Sequence, residues 1–154
     1  YFSYMVVVTV AAASGVAFQP LWGKYGDRYG NLRILRIAGW GISALPALWV
    51  FSQELWAGVL IQVTAGCFWG GFTLLLNNSI MEAVSPEKRI RCISYFNVMN
   101  NLSMLAGALI GGFLIHRLPP VAGHSFLALF LLSCFARIIV MSFIAPSIKE
   151  VRRV

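Results

Sequence analysis

The sequence is short of charge, and shortest of negative charge. Twelve Lys and Arg stand against five Asp and Glu in 154 residues, and charged residues make up only 11% of the chain. None of the acids lies in the middle of an apolar run. Proton relays inside membranes are built on Asp, Glu or His, so no proton carrier is expected on these residues; any coupling falls to Glu82 or to residues outside the chain. Cys67, Cys92 and Cys134 have no short spacing, which excludes a metal-binding or disulfide framework and leaves small apolar packing residues. His116 and His124 flank a short loop and read as surface residues. There is no nucleophile–base set, no metal-spaced His or Cys cluster and no phosphate loop. Catalytic residues, metals and cofactors are therefore not expected, and neither is an enzyme. A basic n-region is missing before the first apolar run, which excludes a cleavable signal peptide. A start at Tyr1 points to a truncation.

What is abundant is apolar surface. Apolar residues make up 59% of the chain, and mean hydropathy is +0.78. A soluble domain of this size has too little interior to hide that surface, so the expected fold class is an all-α membrane protein. Five runs are long enough to span: 1–22, 34–51, 56–81, 93–115 and 125–145. Pro20, Pro46 and Pro146 fall at or near their ends, and Trp22, Trp49 and Trp56 stand where interfacial aromatics gather. The net charge of +7 follows position rather than nucleic acid. Lys24, Arg28, Arg33 and Arg36 follow the first run, Lys88, Arg89 and Arg91 the third, and Lys149, Arg152 and Arg153 the last; the two opposite loops hold only Arg117. Ten basic residues against one place the first and third loops and the C-terminus in the cytoplasm, by the positive-inside bias. Tyr1 then lies outside. The expected setting is a plasma membrane, in bacteria the inner one, with the lipid bilayer as a partner and no nucleic acid.

The densest charge lies in Gly23-Lys24-Tyr25-Gly26-Asp27-Arg28-Tyr29-Gly30-Asn31-Leu32-Arg33. Glycines there allow a tight turn and close backbone approach. The spacing G-x-x-x-D-R-x-G followed by basic residues resembles the loop signature of the major facilitator superfamily (MFS), found between helices 2 and 3 and more loosely between helices 8 and 9. Gly23, Asp27, Arg28 and Gly30 match it position for position. Asn31 and Leu32 stand where the family usually has basic residues, and the charge arrives at Arg33. Glu82 and Arg89 resemble the family's E-x6-R pair in a later cytoplasmic loop. Ser85, Pro86 and Glu87 between them make a helix start, with serine as N-cap, proline at the first position and an acid in the first turn. Gly107-Ala108-Leu109-Ile110-Gly111-Gly112 resembles the G-P-x-x-G-G element of helix 5, with alanine in place of proline. That alanine weighs against the drug–proton antiporter groups, where the proline is typical. Gln62 stands where helix 4 often carries arginine. These two departures favour helices 8–12, with helices 2–6 as the alternative.

Polar groups inside a bilayer are costly and tend to face a cavity or another helix. Gln62, Asn97, Asn100 and Asn101 are candidates for lining a substrate path, against interhelical hydrogen bonding worth about 0.6–2 kcal/mol. Asn100 and Asn101 lie about 15 Å into their span, near the midplane. Arg137 lies about 14 Å from the cytoplasmic end of the last span on the same rise; it can meet an anionic group, pair with an acid from elsewhere, or snorkel. Gly107, Gly111 and Gly112 read as helix-packing positions. Gly23, Asp27, Arg28, Gly30, Arg33, Glu82 and Arg89 read as a cytoplasmic gate, with Asp27 drawn to the N-terminal end of the fourth helix. The resemblance implies a secondary transporter that moves a small solute by alternating access, completed by an N-terminal helical half outside the chain. The alternative is a membrane receptor or assembly subunit with the same fold.

Overall fold

A computed structural model describes residues 2–51, 54–115, 117–118 and 125–147. His116, His124 and the basic tail Lys149, Arg152 and Arg153 lie outside the described residues. The described residues form five α-helices: α1 (Phe2–Tyr29), α2 (Asn31–Phe51), α3 (Leu55–Ala83), α4 (Arg89–Ile115) and α5 (Ser125–Ser147). A single 3-10 turn, Pro86–Lys88, leads into α4. Among the described residues there is no strand.

The first helix does not stop at Trp22. It continues to Tyr29, and the expected loop of a dozen residues shrinks to Gly30 alone. Gly30 has φ 98°, a left-handed conformation open to glycine and strained for other residues. Its N–H donates to the Gly26 carbonyl at 2.8 Å, and its own carbonyl accepts from Ile34 N–H at 3.2 Å. One residue thus ends one helix and starts the next. Lys24, Asp27 and Arg28 tolerate this because the helix satisfies their backbone groups while their exposed side chains reach out. Arg28 in the last turn also suits the negative end of the helix dipole. Pro20 and Pro46 accordingly lie inside helices. At about 1.5 Å per residue, the 28 residues of α1 reach about 42 Å, well past an apolar slab of about 30 Å.

Four of the helical stretches are long and apolar enough to cross a membrane: Met5–Tyr29, Trp56–Ala83, Pro86–Ile115 and Phe126–Pro146. The expected fifth span is not among them. Starting at Asn31, α2 takes in Arg33 and Arg36, and Gly39, Gly41 and Pro46 thin its apolar side chains further. It is instead the best-buried helix. Ile34, Leu35, Ala38, Ile42 and Leu45 supply half of the ten buried apolar residues. It touches α1, α3 and α5. Ile34 and Leu35 enclose Leu75 of α3, with Trp22 and Phe72 packed around them. Trp22 is therefore a packing residue, half-buried and tilted against Phe68 at 5.8 Å between ring centroids.

Helices α1 and α3 make the closest approach. A Cβ on Gly70 would lie 2.6 Å from the Gly15 carbonyl oxygen, and one on Gly66 would collide with Ser14 and the Ala11 carbonyl. Small residues spaced by four allow such contact between membrane helices. Helix α4 is the opposite case: it has no buried residue. A Cβ built on Gly107, Gly111 or Gly112 meets nothing within 4 Å.

Candidate functional site

A side-chain contact fastens the charged end of the bundle. Asn31 opens α2 immediately after Gly30 and is 5% exposed. Its Nδ2 donates to Oε1 of Glu82, near the end of α3, at 2.6 Å. A carboxylate only accepts, so the amide must turn its NH2 toward Glu82. Oδ1 then points toward Gly26, where a Cβ would lie 2.6 Å from it and 2.7 Å from Leu75 Cδ2. Oδ1 is buried without a hydrogen-bond partner among the described residues. The cost of that bare acceptor is offset by the charged hydrogen bond on the other side of the same amide. Gly26, Gly30, Asn31 and Glu82 thus form one joint across α1, α2 and α3. The sequence pattern singled out Glu82 and Gly30. Gly26 and Asn31 were its omissions, although a glycine four residues before Gly30 was a signal for close approach.

Around this joint, Asp27, Arg28 and Arg33 are exposed. Arg28 lies over the Tyr29 ring at 5.3 Å. Gly23 has ordinary contact, with Leu74 Cδ2 3.7 Å from a built Cβ. Arg89 donates through Nε to the Val84 carbonyl at 3.2 Å, closing its own turn. Ser85 precedes that turn with Pro86 at its first position, as expected, and caps through its backbone: its carbonyl accepts from Lys88 N–H at 3.0 Å.

Two cavities lie deeper. A groove of about 410 Å³ runs between α1 and α3, with Gln62 on its wall beside Gln19, Trp69 and Thr73. A larger one of about 690 Å³ lies among α2, α3, α4 and α5. It is lined by Asn100, Ser103, Arg137, Trp69 and Phe72, with Ile42 and Met104 among the apolar residues. Trp69 borders both cavities. Arg137 donates through Nη1 to the Ile42 carbonyl at 3.4 Å. Asn100 and Arg137 thus line one cavity; Asn97, Asn100 and Asn101 are all exposed on α4, and Asn97 and Asn101 lie outside that lining. Cys134 is buried, and its thiol donates to the Ser43 carbonyl at 3.2 Å, a packing role. Among the described residues, no group of three His, Cys, Asp or Glu is placed to hold a metal ion.

A bundle of apolar helices, four of them long and apolar enough to cross a membrane, with cavities between the helices and a charged joint at one end, is the architecture of an integral membrane protein. The chain belongs to the Major Facilitator Superfamily, whose family profile matches residues 1–153. It is 31% identical over 115 residues to the efflux pump azaK of Aspergillus niger, covering 68% of this chain and 24% of the relative. The class B tetracycline resistance protein of Escherichia coli is 29% identical over 108 residues, covering 70% and 27%. The multi-drug resistance efflux pump PmrA of Streptococcus pneumoniae is 25% identical over 138 residues, covering 86% and 34%. The chain spans about a quarter to a third of the length of these relatives. No solved structure matches it significantly. These three relatives are named for efflux or for drug resistance.

Proposed function

We propose that the chain is part of a secondary transporter that exports a small solute by alternating access. The observation that carries this reading is the joint of Gly26, Gly30, Asn31 and Glu82. A side-chain hydrogen bond ties the ends of α2 and α3, and the close approach of Gly26 packs the end of α1 against the same amide; such contacts can break and re-form without unfolding a helix. With the joint closed, the cytoplasmic ends of α1, α2 and α3 stay together and the path opens to the other side. With it broken, the cytoplasmic side opens. Asp27, Arg28, Arg33 and Arg89 form its charged rim. A bistable contact of this size shifts state populations when its strength changes by about 1–2 kcal/mol.

In this reading all five helices cross the membrane. Helix α2, with 21 residues, is about 31 Å long, enough to span with Arg33 and Arg36 at the cytoplasmic edge. The path runs past Gln62 and Asn100, with Asn97 and Asn101 lining its continuation on α4. The exposed Gly107, Gly111 and Gly112 receive helices of the remaining part of the same polypeptide. Likeness to proteins named as efflux pumps favours export over uptake. A plasma membrane, the inner one in bacteria, accords with the charge bias of the loops.

Reconstitution of the full-length protein in proteoliposomes tests this. Saturable movement of a solute from a panel that includes tetracycline is expected, and Glu82→Ala should slow it at least fivefold with little change in binding. Binding without any movement would support the receptor alternative.

A further inference from the structure

Arg137 lies near the middle of α5, twelve residues from its start and ten from its end, or about 15–18 Å from either. The acids of the described chain are Asp27, Glu54, Glu82 and Glu87, all at or beside helix ends. None of them shares its depth. A cation in the middle of a bilayer costs about 2.5–3.5 kcal/mol even on the mildest scale, and a single carbonyl at 3.4 Å is a weak return for it. A guanidinium has five N–H donors, so most of its capacity is unspent.

The space beside it is of ligand size. The cavity of about 690 Å³ falls within the ~300–1,000 Å³ usual for small-molecule sites. Its polar groups come from three helices: Ser43 from α2, Asn100 and Ser103 from α4, and Arg137 from α5; the Ser43 hydroxyl donates to the Gly39 carbonyl at 2.9 Å. Ser103 has given its hydroxyl proton to the Met99 carbonyl at 2.8 Å, so its oxygen can only accept. Asn100, Arg137 and the Trp69 indole N–H are the side-chain donors left, and of these only Arg137 carries charge. The opposite wall is aromatic, with Trp69 and Phe72 edge to face at 6.0 Å.

We propose that this cavity binds an organic monoanion, a carboxylate carried on an aromatic or apolar body, held by Arg137 and Asn100 against Trp69 and Phe72. One cation balances one negative charge; a dianion would leave the second charge buried and unpaired. A carboxylate accepts two parallel N–H bonds from a guanidinium, and Asn100 adds a third donor. The proposal rests on the transporter reading, since it names the solute class of that path.

The test uses the purified full-length protein in detergent and a ladder of probes: benzoate, 2-naphthoate and 4-phenylbenzoate, each beside its neutral amide. Binding is read by isothermal titration. At least one carboxylate should bind at least tenfold tighter than its amide. Arg137→Gln should erase that difference and Arg137→Lys should keep part of it. Asn100→Ala should weaken the carboxylate several-fold and leave the amide unchanged. Equal binding of acid and amide to the wild-type protein overturns the proposal, as does binding of none of the carboxylates. Both results come from the wild type, so they stand even if the Arg137 variants fold poorly. An acid elsewhere in the polypeptide that already pairs with Arg137 would give the second result. If carboxylates bind but no solute crosses in proteoliposomes, the site stands and the transporter reading falls. If a neutral or cationic solute crosses and no carboxylate binds, the reverse holds.

Discussion

Asn31 shows how much one amide can decide. It stands where the family usually has a basic residue, and a lysine or arginine there would meet Glu82 as an ion pair. The amide keeps the hydrogen bond at 2.6 Å and gives up the charge. A contact of that kind is worth about 1.5–3 kcal/mol when its acceptor is ionised, and Glu82 is exposed, so the lower end applies. Replacing Asn31 with alanine should therefore shift the balance between closed and open cytoplasmic ends by about tenfold. Transport rate in proteoliposomes should fall at least fivefold while solute affinity changes less than twofold; a full rate in well-expressed N31A protein would remove the joint from the mechanism. Asn31→Asp should be worse, because two carboxylates would then face one another. The sequence pattern pointed to Asp27 as the latch. Asp27 is exposed on the last turn of α1, and the contact sits four residues further on. A motif fixes which residues are unusual, but which of them touch depends on where the helix ends.

At the scale of elements, the single-residue turn at Gly30 was hidden from sequence reasoning. Charged residues were read as loop because a bilayer excludes them, yet a helix that outruns the bilayer carries them in water without leaving helical geometry. The apolar runs gave the number and order of the helices well. They could not give the ends, since hydropathy marks the membrane boundary and not the helix boundary. The glycines sort differently in space than in the motif. Gly23 matches the family signature but has room, with 3.7 Å to Leu74 from a built Cβ. Gly26 falls on a variable position of the signature and has none. Gly23→Ala should leave the melting temperature of the full-length protein unchanged or raise it slightly, since alanine favours a helix by about 1 kcal/mol over glycine. Gly26→Ala should lower it by several degrees, and Gly30→Ala should cost about 1–2 kcal/mol through its left-handed backbone. The opposite ranking, with Gly23 the sensitive position, would mean that the signature is conserved for contacts other than those in this bundle. Helix pairing follows the same logic. The close seam is Gly15 with Gly66 and Gly70; the four-residue spacing of Gly66 and Gly70 marks a packing face, but not the partner helix, which lies far away in sequence.

For the molecule as a whole, composition pointed to membrane residence, and the charge bias gives an expected orientation. The joint, the cavities and their relation to one another needed coordinates, because each is built from three or four helices. With the joint at one end and Asn100 lining the cavity, alternating access requires that the cavity be reached from each side of the membrane in turn. Chemical access measures this without knowing the solute. In the full-length protein with every native cysteine replaced by serine, Cys67, Cys92 and Cys134 among them, Asn100→Cys gives a single thiol in the cavity. Its labelling by a membrane-impermeant maleimide can be timed in right-side-out and in inside-out vesicles. Labelling is expected from both sides, and adding Asn31→Ala should raise the cytoplasmic rate while lowering the outer one. Labelling from one side only, or two rates that rise together, would contradict alternating access.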